Sequence, residues 1–207
     1  MKLKYLLSDL DGVVRIYPPE HARSIETKYN LPPGIIFKIA FDKTLLQPAV
    51  CGEVSDETWR TNITRSLATA LSCEKVAKAA IVEWSSFSGI VDECYLDLLT
   101  ERFPALPVAL LTNGTTRLNR DLDELGLQGR FAKIFSSAEL GVCKPDAKIY
   151  QHVLKELACE PAEILFIDDS LAHVQAADAL GIRTHHYTSR AAFAASFPPS
   201  NLNKEGY

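Results

Sequence analysis

Residues 4–14 constrain the fold most strongly, because a short apolar run there ends abruptly in two carboxylates, Asp9 and Asp11, one residue apart. An apolar run of this length, bounded by acids and Gly12, is typical of a central parallel strand that is covered on both faces. Open parallel sheets bind their ligands beyond the C-terminal ends of the strands. The segment therefore predicts a buried strand that carries two acids into a binding site.

The spacing of Asp9 and Asp11 implies a counter-charge, because two neighbouring carboxylates repel each other and the adjoining dry core disfavours their charge. Mg2+ is the economical candidate, since it takes oxygen ligands and keeps open positions for water and phosphate. An ordinary Asp-x-Asp-Gly turn after a strand would show the same local pattern. The choice between these interpretations depends on the later part of the chain.

Beyond residue 107 the sequence alternates between apolar runs and helical patterns. Residues 107–114 and 164–170 are apolar runs that end in polar side chains, and residues 133–135 and 183–186 are weaker strand candidates. Amphipathic helices are predicted between them, for instance over residues 147–157. This alternation predicts a doubly wound α/β fold with a parallel sheet and right-handed crossovers.

Residues 15–86 differ from the rest, because helical patterns fill them and no convincing strand interrupts them. The pair of prolines at residues 18–19 can open a helix, and Ser55 is a helix N-cap followed by acidic residues. The stretch is too long for a simple crossover between strands. We predict a small helical cap over residues 15–86, inserted into an α/β core formed by residues 1–14 and 87–207.

The predicted strand exits bring together one set of polar side chains with a coherent chemistry. Carboxylates can hold Mg2+, hydroxyl and amide groups can bind the oxygens of an anionic substrate, and a lysine can neutralise charge in a transition state. Asp9 is then the candidate nucleophile, and Asp11 the candidate general acid and base. The set comprises Asp9, Asp11, Thr112, Asn113, Lys144, Asp168 and Asp169.

These residues also carry a resemblance to the haloacid dehalogenase superfamily, most of whose members are Mg2+-dependent phosphatases with a Rossmann-like core. All four sequence motifs of that superfamily occur in order, and the resemblance covers essentially the whole chain. The motifs are Asp9-Leu10-Asp11-Gly12-Val13-Val14, Thr112-Asn113-Gly114, Cys143-Lys144-Pro145 and Ile167-Asp168-Asp169-Ser170.

The resemblance implies a role for each motif. Asp9 is the nucleophile and Asp11 the acid/base. The hydroxyl of Thr112 and the following amide, at Asn113, bind phosphoryl oxygens. Lys144 has a catalytic and phosphate-binding role. A helical insertion directly after the first motif resembles the type of cap that closes over the site, excludes water and selects the substrate.

The resemblance also implies a magnesium site. Its ligands are the Asp9 carboxylate, the Asp11 backbone carbonyl and Asp169, while Asp168 lies beside the ligands rather than among them. The chain departs from many relatives four residues after Asp169, where His173 stands in place of a second carboxylate. A neutral or cationic His there would weaken the hold on Mg2+, although other relatives with paired Asp manage without that carboxylate.

We therefore predict a Mg2+-dependent phosphatase that hydrolyses a small phosphomonoester, such as a sugar phosphate, through an aspartyl-phosphate intermediate. Three alternatives stay open. A phosphomutase of the same superfamily shares both acids and the cap. A non-catalytic phosphate-binding module would keep the fold without turnover. A haloacid dehalogenase uses the same nucleophile on carbon but needs neither Mg2+ nor Asp11.

Composition narrows the partners and the compartment. The net charge of −4 gives no basic field for a polyanion, so we expect a small phosphorylated metabolite and no nucleic acid. No run approaches membrane-spanning length, and the N-terminal apolar run is too short for a signal peptide. The five cysteines have no CxxC spacing, so we expect reduced thiols and a cytoplasmic location.

The aromatic residues of the predicted cap permit two interpretations. Trp59 and Trp84 occur at apolar helical spacing, and we expect them in the core of the cap rather than at a substrate. Phe37 and Phe41 are compatible both with a substrate pocket and with an ordinary amphipathic helix.

Overall fold

The structure, a computed structural model, describes residues 2–199 and contains one five-stranded sheet, one two-stranded ribbon and eleven α-helices in that range. The strands are β1 (Tyr5–Ser8), β2 (Arg15–Ile16), β3 (Ile90–Val91), β4 (Val108–Thr112), β5 (Lys133–Ser136), β6 (Ile164–Asp168) and β7 (Arg183–His186). The helices are α1 (Pro19–Lys28), α2 (Ile35–Ala40), α3 (Lys43–Val50), α4 (Asp56–Leu71), α5 (Glu74–Trp84), α6 (Glu93–Arg102), α7 (Leu118–Glu124), α8 (Ser137–Leu140), α9 (Ala147–Leu157), α10 (Leu171–Asp178) and α11 (Arg190–Ser196).

The large sheet is parallel throughout, in the order β5-β4-β1-β6-β7, with β1 at its centre. Side chains of a strand alternate between the two faces. Leu6 packs into a cluster with α6, α7 and α11, whereas Leu7 packs into a cluster with α9 and α10 on the other face. Both faces are thus covered by helices, which confirms the predicted doubly wound α/β fold and explains the continuously apolar strands.

Helices α1 to α5, residues 19–84, pack around a hydrophobic cluster of their own, and we call them the α1–α5 bundle. Ile36, Ile63 and Leu67 are fully buried in this cluster. Strands β2 and β3 pair in antiparallel fashion at the two ends of the segment, so the chain enters and leaves the bundle side by side. The exact division into a cap of residues 15–86 and a core stays a prediction.

The α1–α5 bundle is bonded directly to the α/β core. Asp56 at the start of α4 accepts a hydrogen bond from Thr115 Oγ1 at 2.9 Å, and its backbone N–H donates to Thr116 Oγ1 at 2.9 Å. Arg117 Nη1 donates to the carbonyl of Ser85 at 2.6 Å, just beyond the end of α5. These contacts seat the bundle over the C-terminal edge of the sheet.

A disulfide also joins the two parts of the molecule, and it corrects the expectation that the cysteines are reduced thiols. Cys51, directly after α3, is bonded to Cys143, with the two Cα atoms 5.4 Å apart. Cys73, Cys94 and Cys159 are free. The pairing partners are 92 residues apart, so local spacing in the sequence held no sign of the bond.

No helix within residues 2–199 is both long and apolar enough to cross a membrane. The cytoplasmic location stays a prediction.

Candidate active site

The predicted site residues meet at the C-terminal edge of the sheet because β1 lies between β4 and β6. Ser8 at the end of β1 is in register with Leu110 of β4 and with Ile167 of β6. The chain continues from β1 in contact with β6, since the backbone N–H of Asp9 donates to the carbonyl of Ile167 at 2.8 Å. The ends of three neighbouring strands therefore place their polar side chains around one point.

Lys144 lies at the centre of the cluster and holds two carboxylates. Its Nζ is 2.9 Å from Asp9 Oδ1 and 2.6 Å from Asp168 Oδ2. The side chains of Lys144 and Asp168 are fully buried, and that of Asp9 is 8% exposed. A buried ammonium shared between two carboxylates removes the repulsion that these acids would otherwise suffer.

The Asp9 carboxylate is held by one oxygen only. Oδ1 accepts from the backbone N–H of Leu10 at 2.7 Å and pairs with Lys144, while no hydrogen bond or ion pair within the described residues involves Oδ2. Burial raises the pKa of Asp9, and the charge of Lys144 opposes that rise. Since Asp9 lines a cavity above the sheet, this arrangement fixes the carboxylate while leaving Oδ2 available to a ligand.

Asp168 is a structural anchor for the cluster. Besides Lys144, it accepts hydrogen bonds from the backbone N–H of Ser170 at 2.8 Å and from Nδ1 of His173 at 3.0 Å. Burial alone would raise the pKa of Asp168, but the hydrogen bond from His173 and the charge of Lys144 lower it to about 2. His173 thus bonds to Asp168, a contact that the sequence motif alone did not suggest.

Asp11 is held by an arginine that sequence reasoning missed. Arg15 Nε and Nη2 donate to the two oxygens of Asp11 at 2.6 and 3.0 Å, and Nη1 donates to Asp121 at 3.0 Å. The guanidinium is 5% exposed, whereas the Asp11 side chain is 40% exposed. Two parallel bonds fix a carboxylate more firmly than one, so Arg15 orients Asp11 at the cavity. The four-residue spacing of Asp11 and Arg15 in the sequence could have indicated this ion pair.

Thr112 is the last residue of β4 and Asn113 follows it, and their side chains make different contacts. Thr112 Oγ1 is buried and has no hydrogen-bond partner among the described residues. Asn113 donates through Nδ2 to the carbonyl of Lys144 at 2.9 Å and accepts from the backbone N–H of Lys144 at 2.8 Å. The Asn113 side chain therefore braces the loop that carries Lys144, and Thr112 keeps an unused hydroxyl beside the cavity.

Asp169 completes a possible cation site next to the first motif. Its carboxylate packs so tightly on Gly12 that a Cβ there would lie 2.3 Å from Asp169 Oδ2. Burial and the nearby Asp168 raise the pKa of Asp169, and no ion pair of Asp169 occurs within residues 2–199. The oxygen donors of this segment suit Mg2+, and a bound cation would relieve the charge of Asp169, so the residues present fit the expected metal.

A second grouping of potential ligands is less suited to a metal. Asp9, Asp168 and His173 offer ligand atoms that lie within 4.8 Å of one another. The ammonium of Lys144, however, already bonds to both carboxylates of that group. A metal there would meet the positive charge of Lys144 at close range, so the site next to Gly12 and Asp169 is the better place.

We expect Gly12→Ala to lower the free energy of unfolding more than Gly126→Ala does. Both glycines have a positive φ, +79° and +65°, so both variants carry the strain of a left-handed residue, about 1–2 kcal/mol. Only the Gly12 variant also drives a Cβ into Asp169, since nothing lies within 4 Å of a Cβ at Gly126. Urea unfolding of both variants measures the difference, and equal losses would contradict the packing of Asp169 on Gly12.

A cavity of about 430 Å3 lies between the α1–α5 bundle and the cluster. Asp9, Asp11, Thr112 and Asp169 line its sheet side, and side chains of the bundle line the opposite side. Trp59 belongs to the core of the bundle, as expected, but it also lines this cavity. The volume lies in the range of small-molecule sites, which makes the cavity the candidate substrate site.

The fold and the site together define an α/β protein with a doubly wound parallel sheet, whose acids lie at the exits of the strands beneath a helical unit. The chain belongs to the haloacid dehalogenase-like hydrolases, whose family model matches residues 3–181. That span includes all four motifs and the whole α1–α5 bundle.

Three curated relatives illustrate the range of proteins that the chain is similar to. It is 28% identical over 195 residues to mouse acyl-CoA dehydrogenase family member 10, covering 86% of this chain and 17% of the relative. It is 47% identical over 58 residues to a sesquiterpene phosphatase of Aspergillus oryzae, covering 28% and 30%. It is 28% identical over 190 residues to phosphoglycolate phosphatase 1 of Pseudomonas aeruginosa, covering 87% and 67%. The chain thus spans less than a third of the first two relatives.

Solved structures show the same fold. A haloacid dehalogenase family enzyme of Bacteroides thetaiotaomicron, in complex with magnesium and inorganic phosphate, superposes with a TM-score of 0.71 at 24% identity, covering 94% of this chain and 99% of that chain. The L-2-haloacid dehalogenase of Xanthobacter autotrophicus, with chloropropionic acid covalently bound, gives a TM-score of 0.66 at 20% identity, covering 97% and 85%. The fold is therefore shared with an enzyme crystallised with magnesium and phosphate and with a dehalogenase, so the fold alone does not identify the reaction.

Proposed function

We propose that this chain is a Mg2+-dependent phosphatase that hydrolyses a small phosphomonoester through an aspartyl phosphate on Asp9. The observation that carries the proposal is the pairing of two acids on the cavity floor. Asp9 Oδ2 has no hydrogen-bond or ion-pair partner among the described residues. Asp11 lies two residues further along the chain, and two hydrogen bonds from Arg15 fix its carboxylate. A dehalogenase needs only the first acid. The similarity to two phosphatases and to an enzyme crystallised with magnesium and phosphate supports the same choice.

In the first step Asp9 Oδ2 attacks the phosphorus atom, and the bond between phosphorus and the ester oxygen breaks. Lys144, beside Oδ1, neutralises charge that develops on the phosphoryl oxygens, and the free hydroxyl of Thr112 and the backbone N–H of Asn113 donate to them. Asp11 acts as the general acid and gives a proton to the departing alcohol oxygen.

In the second step the same two acids hydrolyse the intermediate. Asp11, now a carboxylate, takes a proton from water as the water oxygen attacks phosphorus. The bond between Asp9 and phosphorus breaks, inorganic phosphate leaves, and Asp9 returns to its carboxylate form. The seated α1–α5 bundle limits the access of other water to the cavity.

The Asp9 carboxylate, the Asp11 backbone carbonyl and Asp169 would hold Mg2+. When bound, Mg2+ supplies positive charge that draws a dianionic phosphate towards an otherwise acidic site. Asp168 does not take part in this set, since its oxygens are bonded to Lys144, His173 and Ser170.

The test is phosphate release from phosphomonoesters, with Mg2+ or with EDTA, for the natural protein and for Asp11→Asn. We expect release that requires Mg2+ and falls about 10²- to 10⁴-fold in the variant, because the leaving alcohol loses its proton donor. Asp123→Asn, on the exposed side of α7, is the matched control and should retain the natural rate.

The same assay separates the competing functions. Release of halide from a 2-haloacid, with no dependence on Mg2+ or on Asp11, would assign a dehalogenase instead. Transfer of the phosphoryl group to a second position of the substrate, without release of phosphate, would assign a mutase. Phosphate binding without either reaction would leave a binding module.

A further inference from the structure

Much of the cavity lining consists of aromatic side chains from the α1–α5 bundle and its flanking segments. Tyr17, Phe37, Phe41, Trp59, Trp84 and Phe87 all line it. They also contact one another: Phe37 stacks on Phe41 with ring centroids 5.4 Å apart, and Trp59 meets Trp84 edge to face at 6.1 Å. A substrate bound to Asp9 would therefore place its alcohol portion against an apolar wall.

Part of this wall is exposed to solvent. Phe41 is 54% exposed, Tyr17 40% and Phe37 37%. Exposed aromatic side chains grouped at one place typically mark a binding surface, because leaving them in water forgoes the free energy of burying apolar area. A ligand with an apolar body would cover these rings and gain that free energy.

The polar side chains on the same wall are already bonded within the protein. His21 Nε2 lies 3.1 Å from the carbonyl of Trp84, Arg60 Nη1 donates to the carbonyl of Ser85 at 2.7 Å, and Arg60 Nε pairs with Asp56 at 2.6 Å. Asp56 also accepts from Thr115, as described above. The hydroxyl groups of a sugar would find few free partners here, and burying them without partners is unfavourable.

One polar atom of the wall is buried with neither a hydrogen bond nor an ion pair. It is the indole N–H of Trp59, which has no partner in the described part of the chain. A single donor among aromatic rings suits an alcohol with one polar atom at most, not a polyol.

We propose that the substrate is a phosphomonoester of an apolar alcohol, whose hydrocarbon portion packs on the aromatic wall. This inference rests on the proposed phosphatase function and specifies its substrate class, in place of the sugar phosphate predicted from sequence. The cavity, of about 430 Å3, lies in the size range of sites that bind small molecules such as an alkyl phosphate.

The test compares kcat/KM for butyl, hexyl, octyl and decyl phosphate, each below its critical micelle concentration, with that for glucose 6-phosphate, using the full chain and Mg2+. We expect kcat/KM to rise by up to about fourfold for each added methylene, mainly through KM. Glucose 6-phosphate should be a poorer substrate than octyl phosphate by at least tenfold.

A variant of the wall provides the second readout. Phe41→Ala, at an exposed ring where misfolding is a small risk, should lower the ratio of kcat/KM for octyl over butyl phosphate about tenfold. Val82→Ala is the matched control, because Val82 is 62% exposed and lies outside the cavity, so the ratio should stay at its natural value.

The outcomes are distinguishable. Mg2+-dependent release with no dependence on chain length, or with glucose 6-phosphate preferred, overturns the substrate class and leaves the phosphatase function standing. An unchanged octyl to butyl ratio in Phe41→Ala overturns the assignment of the wall. Absence of phosphate release from every ester overturns the phosphatase function and this inference together.

Discussion

Asp9→Asn is expected to abolish phosphate release, with kcat falling by about 10⁴-fold or more. The amide has the shape of the carboxylate and can still accept the backbone hydrogen bond of Leu10 at Oδ1. It lacks the anionic oxygen that attacks phosphorus, so no intermediate forms on residue 9. Steady-state phosphate release measures turnover. The amount of phosphate bound covalently after a quench with acid measures formation of the intermediate.

The control for this variant is its folding. Circular dichroism and urea unfolding should show that the Asp9→Asn protein is folded, because Lys144 keeps its bond to Asp168. A folded Asp9→Asn protein that still released phosphate at more than a hundredth of the natural rate would contradict the nucleophile assignment. A folded variant that lost catalysis but kept phosphate binding with Mg2+ would support it.

Lys144→Met is expected to destabilise the protein by about 3–5 kcal/mol at neutral pH, besides removing activity. Methionine fills a similar volume but leaves Asp9 and Asp168 buried side by side without a cation. Removing one partner of a buried ion pair leaves the other charge uncompensated, which is why the expected loss is large. Urea unfolding in EDTA measures it without interference from bound metal.

The same variant has an expected pH dependence. The pKa of Asp168 is lowered to about 2 in the natural protein, below its value of about 3.9 in an unfolded chain. A lowered pKa contributes stability that is fully present above about pH 4 and is lost as the pH falls towards 2. The stability difference between Lys144→Met and the natural protein should therefore shrink as the pH falls from about 4 towards 2.

Lys133→Met is the matched control for Lys144→Met. Lys133 pairs with Glu156 at 2.6 Å, but both side chains are about 40% exposed, and exposed pairs contribute little to stability. A loss in Lys144→Met no larger than in Lys133→Met would show that the buried cluster does not hold the site together.

The order of elements and the exits of the strands could be predicted from the sequence, because both depend on local patterns. Apolar runs such as residues 164–170 identify buried parallel strands, and parallel strands place their exits at one edge. Asp9, Lys144 and Asp168 were thus expected to meet, and the structure brings them within direct contact. The short ribbon of β2 and β3 was missed, since two residues per strand are too few to show a period.

Contacts between distant side chains could not be predicted in the same way. Arg15 bonds to Asp121 across 106 residues, the Asn113 side chain turns to the backbone of Lys144, and His173 turns to Asp168. Each is set by where the strands and loops place the side chains, and no residue type or spacing specifies such a meeting. The disulfide between Cys51 and Cys143 is a further case.

Local sequence patterns were sufficient to predict the α/β fold, the helical stretch after the first motif and the acids and lysine of the candidate site, because hydrophobic periodicity and motif order are properties of the chain order. The character of the candidate substrate cavity, by contrast, depends on the tertiary structure. Its aromatic wall combines Tyr17, Phe37, Trp59 and Trp84 from different helices and flanking segments. The packing of the helices in the bundle determines which of their faces remain open. The proposed preference for the phosphate ester of an apolar alcohol therefore follows from the fold and not from any motif.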